Sequence, residues 1–168
     1  ASDVYKRQEY ILVKGCGKNE TDIRIALPKL EDAKGQSNFV NCVAEVNVPI
    51  GEIFTSPQLQ GTEGLLHLPD IYLDGFQYFN LKLTFKDGMI VDYDCSNFES
   101  DQENRDFVME NLLYPHKTLP LGEFAIGTNT LAYVLSQKLD ITRILPILIV
   151  EKMGPHFAIG DTCFSHVE

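Results

Sequence analysis

Apolar and polar residues alternate strictly over residues 79–85 (Phe-Asn-Leu-Lys-Leu-Thr-Phe), the period of a strand with one buried face. Lys86-Asp87-Gly88 supplies a turn and residues 89–93 return, so the stretch predicts a β-hairpin. Residues 10–14 form a short β-branched and apolar run, closed by Gly15-Cys16-Gly17. After a turn at 18–21, residues 22–27 alternate again and predict a half-buried strand. Residues 28–36 read as a charged loop. Residues 39–48 predict a further extended run, with Asn41, Glu45 and Asn47 on one parity, broken by Pro49-Ile50-Gly51. The Gly-, Gln- and Thr-rich residues 57–64 read as a loop, followed by apolar runs at 65–68 and 71–73 and a turn at Asp74-Gly75.

Helical signals fall in two places. Ser100 can cap a helix over 100–113, with Glu103 three residues on as a capping box, and Pro115 ends it. Phe107, Val108, Asn111 and Leu112 share one face there. A second helix is predicted at 130–139, with Asn129 or Thr130 as its cap. The continuous apolar run 145–150 reads as a buried strand, and 157–160 as another. Strands thus dominate two interrupting helices. The class expected is α+β, with a largely antiparallel sheet.

The length, 168 residues, suits a single core-bearing domain. A net charge of −10 opposes nucleic-acid and anionic-membrane partners and favours cationic ligands, among them metal ions and protonated amines. Cys16, Cys42, Cys95 and Cys163 make no C-x-x-C pair, which excludes a zinc ribbon and a thioredoxin-type motif. Two disulfides are arithmetically open, but four reduced thiols are expected. No signal peptide is present, and the longest apolar runs fall far short of the ~20 residues of a membrane span. A cytoplasmic location is expected.

Three carboxylates stand out. Glu52 follows Pro-Ile-Gly in Gly-Glu-Ile-Phe-Thr-Ser-Pro, and Glu123 lies within Gly-Glu-Phe-Ala-Ile-Gly-Thr-Asn. Glu151, expected at the end of the apolar strand, opens Glu-Lys-Met-Gly-Pro-His, which places His156 five residues on. Each has an ordinary account: a solvated turn for Glu52, an ion pair with Lys152 for Glu151, a core or surface imidazole for His156. Glu123 fits those accounts least, because an ionised carboxylate in an apolar context is costly unless it is paired or metal-bound. Together the four suit a two-metal hydrolytic site, since carboxylates can bridge ions and imidazole suits zinc, cobalt or manganese.

Taken in order and at these separations, the three motifs resemble the catalytic region of the aminopeptidase T and aminopeptidase S family of metallopeptidases, from residue 10 to the C-terminus. The resemblance implies a dinuclear exopeptidase acting on peptides with a free N-terminus and using two divalent ions (zinc, cobalt or manganese). Carried over residue by residue, it implies that Glu52, Glu123, Glu151 and His156 are metal ligands. Glu123 would be the bridge, and Glu52 would also handle the proton of the attacking water. A homodimer is implied for the full-length protein.

Some features depart from the family pattern. The family completes its site with a His-x-Asp pair further along. Here His166-Val167-Glu168 reads as a surface loop, and Phe164 stands where the family uses a tyrosine. The family's N-terminal domain is expected to be missing, residues 1–8 read as a non-native leader, and residues 9–168 read as a partial catalytic domain truncated at its C-terminus. The fragment alone is expected to be inactive. Two alternatives stand beside this reading: a non-catalytic metal-binding homologue, and a β-rich interaction domain in which the four residues do not converge.

Overall fold

The computed structural model describes residues 8–32, 34–42 and 50–160. The expected parity of Glu45 and Asn47, residues 1–7 of the leader, Cys163, Phe164 and His166-Val167-Glu168 lie outside them. The described residues form two antiparallel sheets with short helices between, the α+β architecture expected. The first sheet has the order β1 (Tyr10–Lys14), β2 (Asp22–Ala26), β5 (Gln58–Leu73), β6 (Phe76–Lys86), β7 (Met89–Asp94). The second has the order β3 (Val40–Cys42), β4 (Glu52–Thr55), β8 (Leu121–Gly127), β9 (Pro155–Ile159).

The alternating hairpin appears as β6 and β7, and Leu81, Leu83 and Phe85 are buried on its inner face. They meet Ile23 and Ile25 of β2, Leu66 of β5, and Leu121 and Phe124 of β8 in one core. Burying each such side chain contributes roughly 1.5–3 kcal/mol, so this layer between the sheets carries most of the fold. Helix α1 (Asp101–Val108) starts where Ser100 Oγ accepts the Glu103 N–H at 3.4 Å. A π-helical turn at Met109–Leu113 continues it and buries Leu113 beside Val108. Helix α2 (Thr130–Leu139) has the predicted bounds. Its cap is Asn129, whose Oδ1 accepts the Ala132 N–H at 3.0 Å.

Two expectations fail, for different reasons. The 57–64 stretch is not a loop but the first half of β5, pairing with β2. Gly61 and Gly64 take φ of +84° and +131°, which lets the strand kink without breaking. A Cβ at Gly64 would run into the backbone of Asp22. Between the glycines, buried Thr62 accepts the Ala26 N–H through its hydroxyl at 2.9 Å and mends the ladder at the bulge. The apolar run 145–150 is not a strand either. Pro146 opens one helical turn, α3 (Ile147–Val150), in which the Ile149 and Val150 N–H groups donate to the Pro146 carbonyl. A continuous apolar run carries no period to separate strand from helix, and a proline before the first helical residue favours the helix. None of α3 is fully buried. Among the described residues no helix is long and apolar enough to cross a membrane.

Candidate metal centre

The two faces of the second sheet differ in character. Along β8, Phe124 and Ile126 point to the core, where Phe124 meets the ring of Phe157 at 5.4 Å between centroids. Period-two alternation puts Glu123, Ala125 and Gly127 on the other face. Glu52 of β4 is paired with Gly127, and His156 of β9 with Ala125. The two small residues therefore leave room between three chemistry-bearing side chains delivered by three adjacent strands.

Those side chains converge. His156 Nε2 lies 3.2 Å from Glu52 Oε2 and 3.8 Å from Glu123 Oε1. Ligands at zinc-like distances around one tetrahedral ion stand about 3.3–3.5 Å apart, the same scale. His156 Nδ1 faces the Gly154 carbonyl oxygen at 3.2 Å. In the neutral ring that nitrogen must donate, so Nε2 turns its lone pair toward the two carboxylates. Glu52 is 6% exposed, and its Oε2 has no hydrogen-bond partner. A charged ring would pair with both carboxylates, whereas with a neutral ring three electron-rich atoms face one another, an arrangement that suits a cation.

Glu151 enters from a different element. Instead of ending a strand, it begins a 3-10 turn, Glu151–Met153, laid against the end of β8. Gly127 makes this approach possible, because a Cβ there would sit inside the backbone of Glu151 and Lys152. Gly127 N–H donates to the Gly154 carbonyl and Asn129 N–H to the Lys152 carbonyl, each at 2.8 Å. The turn carries Lys152 inward to 0% exposure. Its ammonium pairs with Glu151 Oε1 at 2.8 Å, the ion pair the sequence offered, and also with Glu52 Oε1.

Sequence reasoning missed this second pair, because a lysine beside a glutamate reads as surface. The available signal was its place between an apolar run and Gly-Pro. Cys42, opposite Glu52 in the β3–β4 ladder, was missed too. Its thiol is pushed up by burial and by its hydrogen bond to Glu52.

The electrostatics follow from crowding. Burial pushes the Glu123 carboxyl up, and the charges of Glu52 and Glu151 add to this against His156 and Lys152. Burial pulls the Lys152 ammonium down, but its hydrogen bonds to Glu151 and Glu52 more than offset that, so it stays charged. Three carboxylates thus crowd around one ammonium and one imidazole. Among the described residues no group of three or more His, Cys, Asp or Glu side chains is already arranged to hold a metal ion. The donor chemistry and the orphaned Glu52 oxygen nonetheless fit a divalent ion.

Beside the cluster lies an apolar cleft of about 650 Å³. Leu66, Leu68, Leu81 and Leu83 line it, with Glu123, Glu151 and His156 also in its wall.

With this fold and this acidic face, the chain belongs to the thermophilic metalloprotease (M29) family, whose model matches residues 7–167. A solved structure described as wild-type AmpT from Thermus thermophilus has a similar fold, with a TM-score of 0.55 at 18% identity. The match covers 92% of this chain and 36% of that one, so the chain spans little more than a third of that protein's length. No curated protein sequence matches.

Proposed function

We propose that the chain carries the catalytic metal centre of an aminopeptidase that releases N-terminal residues from peptides. Glu52, Glu123, Glu151 and His156 would hold two divalent ions, zinc, cobalt or manganese. Such ions, when bound, polarise a carbonyl and lower the pKa of water.

The chain's own residues supply the rest. The Gly154 carbonyl fixes the His156 ring so that Nε2 points inward. Glu123, on the middle strand between Glu52 and His156, would be the bridging ligand. Glu52 keeps one oxygen on Lys152 and turns the other toward His156, which supports it as the acceptor for the water's proton. The same acidic face attracts the α-ammonium of a peptide, and the neighbouring cleft offers apolar surface to the side chain beside it. Cys16, Cys42 and Cys95 form no disulfide, which fits a cytoplasmic protein. Exposed Leu131, Leu139 and Ile147 on α2 and α3 fit a homodimer interface in the whole protein.

The observation that carries this reading is the convergence of Glu52 Oε2, Glu123 Oε1 and His156 Nε2. Calorimetric titration with Zn²⁺ and Co²⁺ tests it, together with hydrolysis of a leucyl chromogenic amide and the Glu123→Gln variant. Binding should weaken at least about tenfold in the variant, the scale of a lost contact in a metal site. Binding without hydrolysis would favour a non-catalytic metal-binding relative. No binding would leave a buried ion-pair cluster and remove all four ligand assignments.

A further inference from the structure

We infer that Lys152 is a positioning residue for the metal centre, one that holds an oxygen of Glu52 and an oxygen of Glu151 and thereby turns the second oxygen of Glu52 toward His156 and Glu123. The inference rests on the metal-centre reading above and deepens it.

The geometry divides the Glu52 carboxylate between two tasks. Oε1 is taken by the ammonium, while Oε2, buried and without a hydrogen-bond partner, faces His156 Nε2 at 3.2 Å. Glu151 likewise gives its Oε1 to Lys152. An ammonium is a compact charge with three donors, so it can fix the angle between two carboxylates as no neutral side chain of that length can.

Stability is a poor reason to bury such a group. A well-packed apolar residue often does as well or better than a buried ion pair. The backbone leaves the lysine no other place to go. The turn is held by main-chain bonds at Gly127 and Asn129, and Gly127 gives up its side chain to let it approach. The chain thus makes room at Gly127 to deliver one cation beneath two carboxylates. Lys152 also keeps the cluster from carrying three uncompensated negative charges, which would drive the carboxylates apart.

The test uses the 168-residue chain and metal alone, without substrate. Zn²⁺ affinity is measured by competition with a chromophoric chelator, and the visible absorption of the Co²⁺-loaded protein reports ligand geometry. Folded fraction is followed by circular dichroism. Lys152→Met should weaken metal binding by the folded protein about 10–100-fold, as loss of a group that orients metal ligands does. Lys152→Arg keeps the charge but presents a planar fork. It should retain more of the affinity and shift the Co²⁺ bands, and it decides the question alone if the Met variant does not fold.

A lysine with only a structural role would lower the melting temperature and leave both metal readouts unchanged. Unchanged affinity and spectrum in a folded variant overturn the inference. So does tighter binding in Lys152→Met, which would mean that the ammonium acts only as a repelling charge. Absence of metal binding by the wild-type chain removes the metal centre itself, a different failure from wild-type binding that the variants leave untouched.

Discussion

Adding one methyl group at Gly127 tests how the site is assembled more directly than removing a ligand does. Gly127 ends β8 opposite Glu52, and the turn bearing Glu151 and Lys152 lies on it so closely that a Cβ would overlap their backbone. Backbone cannot rotate away as a side-chain tip can, so Gly127→Ala must push the turn outward. Two main-chain hydrogen bonds at 2.8 Å, Gly127 to Gly154 and Asn129 to Lys152, stretch or break. At about 1 kcal/mol each they account for about 2 kcal/mol, and residual overpacking adds about 1–3 kcal/mol. The stiffer unfolded chain returns about 0.4–1 kcal/mol, so the net loss is roughly 2–4.6 kcal/mol. For a chain of this size that is about 4–18 °C in melting temperature.

Gly154→Ala is the matched control. Its φ of 179° is ordinary extended backbone, and a Cβ there meets nothing within 4 Å. It should fall within about 0.5 kcal/mol of wild type or gain slightly. Thermal and urea denaturation followed by far-ultraviolet circular dichroism compare the pair. Equal stability of the two variants would refute the close approach, and with it the account of how Lys152 reaches the interior.

Three further outcomes are expected. Asn104 is buried, accepts the Asn97 and Phe98 N–H groups at 2.9 Å, and donates to the Phe98 carbonyl at 3.1 Å. Asn104→Ala should therefore cost about 3 kcal/mol in urea denaturation, at about 1 kcal/mol per bond, with Asn104→Asp recovering part because it keeps the acceptor. The Lys82 hydrogen bond and charge hold the Glu20 carboxyl below its ordinary 4.5. The pair's contribution is therefore complete above that value and is lost as pH falls through the lowered one. Glu20→Gln should flatten this acid limb, and an unaltered limb would assign the loss to other carboxylates. Towards a thiol reagent, exposed Cys16 should react at once, whereas buried Cys42 and Cys95, both pushed up by burial, should wait for unfolding. Rapid labelling of either buried thiol in the native chain would contradict their packing.

Local signals proved readable where they were backed by stereochemistry. The Asp-Gly turn between alternating runs became the β6–β7 hairpin, and Ser100 and Asn129 start their helices through bonds that their side chains make. Failures came where composition stood in for geometry. Gly, Gln and Thr at 57–64 suggested a loop, but two kinked glycines and one buried threonine hydroxyl hold a bulged strand there. The run at 145–150 held no period at all, and Pro146 settled it as a turn of helix. At the site, Glu52, Glu123 and His156 stood out by their motifs, yet their meeting depends on the register of three strands. Nothing local in the sequence states that register. Lys152 was hidden for a related reason: it is buried by Gly127, a residue 25 positions earlier that matters for the side chain it lacks.

The alternation along β8 has a consequence for fidelity of folding. Glu123 and Phe124 are neighbours on opposite faces of one thin wall, so a slip of a single residue would exchange them. It would drive a carboxylate into the layer between the sheets and swing a phenyl ring among Glu52 and His156. Core and chemistry would fail together. A misaligned chain cannot linger as a stable but sluggish form, because the same error that spoils the reaction face also dissolves the packing. Proofreading of this wall is thus built into its thickness, and any population that survives unfolding stress should be uniform in its chemistry.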